Sequence, residues 1–397
     1  MLTREAQGVA ARRLRGPALR EALCDSRLRL RAAVDDLSDA QWRPPPQRGV
    51  NPVAWELMHV AWFAVFWLLR GPHRFDEQDR PQPAWGPWAT LPDARYDSSR
   101  LPHAQRWTIE LPPRQQVWQQ LDAQLQACLE MVPDAGAGDA AHELARLVLF
   151  HEDMHVEALW WMRAALGFPA PAGAELPVLT DSGRVRMDEG RWTLGVGEAG
   201  AGFAFDNEQP AHDVWLAAHD IDRRPVSNAD FLTFVQDGGY RDERLWPQQS
   251  QAWRVGTGAQ HPARWRSTDE GWQQRWFDRW LPLPLAEPVV HVNAWEARAF
   301  CAWAGRALPS AAQWERAAVC GHLVWGSVWE WTRDVFGPYP GFQPGPYRDY
   351  SRPWFGDHCE LRGGAFATHA RMRHPRYRNF FQPWRSDVFA GFRTVSS

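Results

Sequence analysis

Through the first part of the chain, apolar residues recur at every third or fourth position, which is the spacing of one helix face. Pro52 suits the first turn of a helix, because that turn needs no backbone N–H from it. Gly167, followed by Phe168-Pro169, ends the last of these helices. Four amphipathic helices of this kind pack as a bundle. The predicted helices cover residues 17–37, the segment from residue 51 onward, 114–132 and 140–167.

The connection between the second and third predicted helices, about residues 71–113, is long and rich in Pro, Trp and Arg. A structureless segment of that length is usually functional when it is not disordered. A Pro-, Ala- and Gly-rich linker follows the fourth helix and extends to about residue 184. We therefore predict a helical domain over residues 1–175.

After residue 185 the pattern changes to short strand-like runs, turns and Trp-Gly clusters. Three short helices are predicted at 227–236, 293–303 and 310–319. This pattern indicates an irregular α+β domain over residues 185–397, held together by aromatic packing. The predicted fold class is therefore an α-helical domain followed by an α+β domain.

The composition is that of a soluble protein and excludes several function classes. Of 397 residues, 45% are hydrophobic and 23% are charged. The formal net charge is −3, and the sequence has no cluster of basic residues that would bind the phosphates of a nucleic acid. The chain has no lysine, so all 44 basic side chains are arginine. A Schiff-base lysine for pyridoxal phosphate and the lysine of a phosphate-binding loop are therefore impossible.

The cysteines and apolar runs favour a cytoplasmic protein. The five cysteines form no CxxC pair, which argues against a zinc–thiolate site and a disulfide framework. The longest apolar run, residues 60–69, is about half of what a membrane-spanning helix needs. Tryptophan is unusually abundant, with 26 residues, and indole rings bind cations well. We expect most of the indoles to fill the core. The tryptophan content is also compatible with a cationic small-molecule ligand.

The sequence HEDMHVE in the fourth predicted helix carries the clearest chemical signal. His151 and His155 stand four residues apart, which places both imidazoles on one helical face. His59, in ELMHVAWF, lies on an apolar face of the second predicted helix. Three neutral imidazoles with open coordination positions suit catalytic iron(II) or zinc better than calcium or magnesium.

HEDMH also fits the HExxH motif of zinc proteases, in which Glu152 would be the general base. The longer metzincin motif fails, because Ala158 and Trp161 occupy the positions of its Gly and third His. Glu175 lies at a plausible distance for a third ligand but is in the linker. A zinc protease remains a remote alternative.

The second half resembles the formylglycine-generating-enzyme fold, which is C-type-lectin-like. The resemblance rests on seven ordered blocks: EGRWTLG, DNEQPAHDVWL, DIDRRPVSNADFLTFVQDGGY, PVVHVNAWEARAFCAWAGRALPSAAQWERAA, GSVWEWTRD, LRGGAFATH and the terminal AGFR. The first half, with His59 and HxxxHxE, resembles the DinB-like four-helix bundle. Together they resemble the ergothioneine sulfoxide synthases and their selenoneine synthase branch.

The resemblance implies a non-haem Fe(II) enzyme that uses O2 as co-substrate and modifies imidazole C2 of hercynine, N-alpha-trimethylhistidine. The second substrate would be a thiol or, in the selenoneine branch, a selenosugar. True formylglycine-generating enzymes bind copper through two cysteines near the C-terminus. The tail RYRNFFQPWRSDVFAGFR contains none, so sulfatase maturation is improbable.

Residue by residue, the resemblance implies that His59, His151 and His155 bind iron. In YRDY, Tyr347 matches a proton donor and Tyr350 a second family tyrosine. In RNFFQPWR, the positions that match the hercynine pocket are Asn379 and Phe380, with Trp384 a nearby aromatic face for the trimethylammonium.

Two departures bear on the second substrate. Met154 stands where mycobacterial-type members have a Gln that contacts hercynine, and Phe381 stands where they have an acid that helps to hold gamma-glutamylcysteine. Arg385 is retained. Other ergothioneine synthases that use free cysteine also have Phe-Phe at this place, so Phe381 alone does not select selenium. The segment FHEDMHVEALWWMRAALGFPAP resembles the selenoneine branch most. We therefore favour the selenosugar, with cysteine or gamma-glutamylcysteine as the alternative. Arg95, Arg100 and Arg106 fall loosely where the family's donor-binding arginines are expected.

Overall fold

The computed structural model describes residues 4–180, 183–197 and 202–396. The four predicted helices are present, so the helical prediction is confirmed. The first ends earlier than predicted, at Ala32, and is preceded by a short helix that the apolar pattern did not indicate. The helices of the first half are α1 (Arg4–Ala11), α2 (Gly16–Ala32), α3 (Asp39–Trp42), α4 (Val53–Ala64), α5 (Asp93–Tyr96), α6 (Arg114–Met131) and α7 (Glu143–Leu166).

The connection at 71–113 is not a structureless loop. It contains a hairpin of β1 (His73–Phe75) and β2 (Pro81–Pro83), helix α5, and a 3₁₀ turn at His103–Trp107. Asp93 at the start of α5 accepts hydrogen bonds from Trp62 and Arg70, with N–O distances of 2.8 and 2.6 Å. The connection is therefore ordered because polar groups at the end of α4 hold it, a contact that periodicity does not reveal.

The second half is the predicted mixture of short helices and strands. Ser227, Asn293 and Ser310 cap three of its helices through capping boxes, which explains why those helices start where the sequence indicated. The helices are α8 (Asn228–Gln236), α9 (Gln251–Thr257), α10 (Ala294–Trp303) and α11 (Ala311–Val319). The strands are β3 (Arg184–Met187), β4 (Gly190–Leu194), β5 (His212–Leu216), β6 (His219–Asp222), β7 (Trp265–Thr268), β8 (Gly271–Trp276), β9 (Arg279–Pro282), β10 (Trp329–Val335), β11 (Cys359–Gly363), β12 (Asn379–Phe381) and β13 (Ala390–Gly391).

A four-stranded sheet in the order β12-β11-β10-β13 forms the centre of this half. β10 and β13 are parallel, whereas the other two pairs are antiparallel. The remaining strands form two pairs, β3–β6 and β4–β5, and a three-stranded sheet, β7-β8-β9. Edge strand β12 carries three of the candidate substrate residues, Asn379 to Phe381, with Glu360 opposite Phe380 in the register.

The two halves share one hydrophobic core, and helix α7 supplies several of the polar contacts between them. Asp153 accepts from the Arg371 guanidinium at 2.5 Å. Glu157 accepts from the Trp329 indole at 2.5 Å and from the Thr368 hydroxyl at 2.6 Å. These contacts fix the face of the bundle that meets the second half. No helix in the described part of the chain is long and apolar enough to cross a bilayer.

Candidate metal centre

The imidazoles of His59, His151 and His155 converge between α4 and α7. One nitrogen from each ring lies within 4.8 Å of the others. The Nε2 atoms of His151 and His155 are 3.1 Å apart. His59 and His151 are each only 3% exposed. The sequence prediction that these three residues lie together is therefore matched by the geometry.

Aromatic side chains of α4 hold two of the rings in place. The His151 ring is parallel to Phe63, with ring centroids 3.5 Å apart. The His59 ring is stacked on Trp55, with centroids 5.1 Å apart. Packed side chains lose little further freedom when they bind a ligand, so the cluster is preorganised.

Hydrogen bonds on the outer side of two rings orient the inner nitrogens. His59 Nδ1 lies 2.7 Å from the Tyr96 carbonyl oxygen, and His155 Nδ1 lies 2.6 Å from Glu56 Oε1. Each Nδ1–H therefore donates outward and leaves an Nε2 lone pair for the cluster. The Asn51 amide donates to the second Glu56 oxygen at 2.7 Å. Such outer partners are typical of histidines that bind metals.

The electrostatics keep two of the imidazoles, those of His59 and His151, in the neutral form that binds metal. Burial, followed by the charge of His155, lowers the pKa of His59 to about 3. Burial also lowers the pKa of His151 well below its usual value. Burial alone would raise the pKa of Glu56, but the charge and hydrogen bond of His155 lower it to about 2. Neutral buried imidazoles with a carboxylate behind them fit a divalent transition metal.

Glu56→Gln is expected to weaken metal affinity about 10–100-fold, because an amide orients the His155 ring less firmly than a carboxylate and adds no negative charge. The measurement is anaerobic titration of the metal-free protein with Fe(II). Glu130→Gln, an exposed carboxyl on α6, is the matched control and should bind Fe(II) normally. Equal affinities for the two variants would contradict the orienting role of Glu56.

Of the two candidate tyrosines, Tyr347 lies nearer the cluster. Its ring packs edge-on against Phe63 at a centroid distance of 5.0 Å and lies 6.5 Å from the His151 ring. Burial, followed by the charges of Asp349 and other nearby acids, raises the pKa of Tyr347. The phenol therefore stays protonated beside the cluster.

Tyr350 lies one layer further away, in a small polar group that sequence reasoning did not identify. Its hydroxyl is 3.1 Å from the Tyr377 hydroxyl. Tyr377 in turn donates to Met154 Sδ at 3.3 Å. Met154 thus faces two phenols rather than an apolar wall. Burial raises the pKa of both tyrosines.

Of the β12 residues, Phe380 lies next to Tyr350. Phe380 is stacked on Phe336, with ring centroids 4.2 Å apart, and its ring lies 6.0 Å from that of Tyr350. The Asn379 side-chain oxygen accepts from the backbone N–H of Phe380 at 2.9 Å. Phe380 therefore packs in one aromatic group with Phe336 and Tyr350.

Phe381, Trp384 and Arg385 form a separate group with partners that the motif did not indicate. The Arg385 guanidinium makes a two-pronged ion pair with Asp387, with N–O distances of 2.5 and 2.6 Å. It also lies 5.2 Å from the Phe381 ring. The Arg48 guanidinium lies 4.0 Å above the Trp384 ring. The charge of Arg385 is thus already balanced, and one face of Trp384 already carries a cation.

The three arginines of the 71–113 connection, Arg95, Arg100 and Arg106, differ in which residues they contact. Arg106 donates to the Asn51 side-chain oxygen at 3.1 Å and lies 4.2 Å above the Trp55 ring, so it contacts residues that support the cluster. Arg100 pairs with Asp97 at 3.1 Å, and Arg95 donates to the backbone oxygen of Glu110 at 3.4 Å.

The two glutamates of HEDMHVE point away from the cluster. Glu152 is paired with Arg27 at 2.9 Å in the interior between α2 and α7. Glu157 is held by Trp329 and Thr368 of the second half. A carboxylate neutralised by a buried arginine cannot serve as the general base of an HExxH site, so the zinc-protease alternative loses its base.

Sequence reasoning missed Glu56 as the residue that orients His155. Glu56 precedes His59 by three residues in ELMH, which places it next to His59 on the helix surface. A buried acid in an otherwise apolar helix is the signal that could have identified it. Tyr377 offered no such signal, because its role depends on the approach of Tyr350 from a distant loop.

Family models match both halves of the chain. Residues 22–159 match the DinB superfamily, and residues 172–325 and 322–397 match the sulfatase-modifying factor enzyme 1-like domain. The expected pair of folds is therefore confirmed.

Two relatives are similar to this chain over most of its length, and a third over about half of it. A hercynine oxygenase of Mycolicibacterium thermoresistibile is 32% identical, covering 94% of this chain and 94% of that protein. One of Mycobacterium tuberculosis is 31% identical, covering 87% of this chain and 90% of that protein. Ergothioneine biosynthesis protein 1 of Schizosaccharomyces pombe is 27% identical, covering 49% of this chain and 28% of that protein. The near-complete coverage at this identity shows that the chain belongs to the hercynine oxygenase family.

Proposed function

We propose that this protein is an Fe(II)- and O2-dependent enzyme that joins selenium from a selenosugar to imidazole C2 of hercynine. The observation that carries the proposal is the buried three-imidazole cluster in a chain of the hercynine oxygenase family. Iron(II) held by His59, His151 and His155 would retain open coordination positions and supply the redox chemistry that activates O2.

In this proposal Tyr347 holds and delivers a proton next to the cluster. Its ring lies close to His151, and its pKa is raised, mainly by burial, so the phenol is protonated at neutral pH. A general acid must lie within reach of the reacting atoms before its pKa matters. Tyr350 and Tyr377, which share a hydrogen bond, would support the ring from behind.

Hercynine carries a trimethylammonium group, which has no N–H to donate and is best recognised by aromatic faces. Asn379 would contact the polar end of the substrate, with Phe380 or Phe381 supplying an aromatic face. Trp384 is less suited than its sequence position suggested, because Arg48 already lies over its ring.

The choice of donor rests on charge. A selenosugar is uncharged apart from selenium, whereas cysteine and gamma-glutamylcysteine carry ammonium and carboxylate groups that need partners. Phe381 carries no charge. The positive charge of Arg385 is already balanced by its ion pair with Asp387. An uncharged donor would leave this pair intact. The alternative, a sulfoxide synthase that uses cysteine or gamma-glutamylcysteine, would recruit Arg106 or separate Arg385 from Asp387.

A competition assay tests the donor. The Fe(II)-loaded protein, prepared without oxygen, is given hercynine, a selenosugar, cysteine and gamma-glutamylcysteine, and then O2. We expect kcat/KM for the selenosugar to exceed that for cysteine at least about tenfold, or ~1.4 kcal/mol in transition-state binding. A preference for either thiol would overturn the selenium assignment. Absence of any hercynine-derived product would overturn the proposed function itself.

A further inference from the structure

A pocket of about 400 Å³ lies where the bundle meets the loop at 366–373. Val156 and Trp160 of α7 form one wall. Val156 directly follows His155, so it projects about 100° round the helix from that ligand. The pocket is therefore separate from the metal centre. Its volume is within the range of small-molecule sites.

The lining of this pocket is basic. Arg29 of α2 lines it together with Arg373 and His369 of the second half. None of the described residues that line it is acidic. Arg373 donates to the backbone oxygens of Thr368 and Ala365, which fixes its guanidinium. Burial lowers the pKa of His369 to about 4, so this ring is neutral at neutral pH.

Arg29 is the unusual member of the group. Its side chain is half-buried, and its Nε is buried without a hydrogen-bond partner. Among the described residues, its guanidinium has no ion pair. Burial lowers the pKa of Arg29, despite the nearby charge of Asp153. A buried donor without a partner is costly, so an acceptor bound in the pocket would stabilise this group.

The nearby acids do not supply that partner, because Arg371 binds them. Its Nε and Nη2 atoms donate to Asp153 at 2.5 and 2.9 Å, and its Nη1 atom donates to Asp25 at 2.7 Å. Two carboxylates therefore pair with one arginine. The charge of Arg29 is left facing the pocket.

The other walls are apolar. The rings of Trp160 and Phe366 lie on one side, with centroids 6.2 Å apart, and Val156 and Pro171 complete the surface. A flat apolar group fits such walls better than a hydrated inorganic ion does. Basic and aromatic surfaces together indicate a ligand with both characters.

We propose that this pocket binds a small carboxylate with a flat apolar body, with the carboxylate on Arg29 and the body against Trp160 and Phe366. The ligand would bridge α2 and α7 to the second half, so its binding would stabilise the contact between the two halves. The site stands on its own contacts and does not depend on the identity of the donor or of the metal.

Calorimetry on the full, metal-loaded protein tests the site with three probes. Benzoate has the carboxylate and the ring, benzamide is its neutral counterpart, and inorganic phosphate has charge without a ring. We expect benzoate to bind at least about tenfold more tightly than either, a difference of ~1.4 kcal/mol. Equal binding of benzoate and benzamide, or no benzoate binding at millimolar concentration, would overturn the proposal.

Variants locate the binding. Arg29→Gln should weaken benzoate binding at least about tenfold. Its melting temperature should be close to that of the unmodified protein, because Arg29 is half-buried and makes no ion pair among the described residues. Arg31→Gln on the same helix, where Arg31 pairs with Asp122, is the control and should bind benzoate normally. Trp160→Leu should weaken benzoate binding while leaving phosphate unaffected. Undiminished benzoate binding by Arg29→Gln would place the ligand elsewhere and refute the site.

Discussion

His155→Ala is expected to abolish stoichiometric Fe(II) binding and all turnover while the fold is retained. The substitution removes one of three imidazoles whose nitrogens converge within 4.8 Å. It also leaves the Glu56 carboxylate, 2% exposed, without its 2.6 Å partner. Asn51 still donates to the other Glu56 oxygen, so the cost is that of one lost buried hydrogen bond to a charged group, about 1.5–3 kcal/mol, which lowers the melting temperature without unfolding a chain of this size.

Metal analysis after anaerobic reconstitution, with circular dichroism as the check on folding, measures the effect. His322→Ala is the matched control, because His322 lies outside the cluster and is only half-buried. That variant should bind one Fe(II) and turn over normally. Full iron loading of a folded His155→Ala protein would refute the ligand assignment.

Tyr347→Phe is expected to bind hercynine normally but to turn over about 10²–10⁴-fold more slowly, the usual range for removing a general acid. The phenylalanine ring keeps the packing against Phe63, so the loop should stay in place. The substitution removes only the buried phenol hydroxyl, and with it the proton that Tyr347 would donate. We expect part of the remaining turnover to oxidise the donor without forming the hercynine product.

Single-turnover kinetics and calorimetry with hercynine separate the chemical step from binding. Tyr350→Phe is the matched comparison, because its hydroxyl is engaged with Tyr377, one layer from the cluster. That variant should show the smaller effect. If Tyr350→Phe carries the large loss and Tyr347→Phe does not, the proton donor is Tyr350.

The sequence by itself determined the four long helices of the bundle and the three capped helices of the second half. It also determined which three histidines form the cluster. These features are local. A helix needs apolar residues at every third or fourth position, a capping box spans four residues, and two histidines four apart must share a face. His59 was predictable as the third member because it lies on the apolar face of a helix in the same bundle.

The tertiary structure alone decided which side chains pair, because pairing depends on distances between elements that are remote in sequence. Glu56 and His155 are 99 residues apart, and Tyr350 and Tyr377 meet through separate loops. The Arg385–Asp387 ion pair is the local exception, because these residues are only two positions apart and the turn brings their charged groups together. A residue pattern shows which groups are available, but the packing of the backbone fixes which of them remain free to bind a ligand.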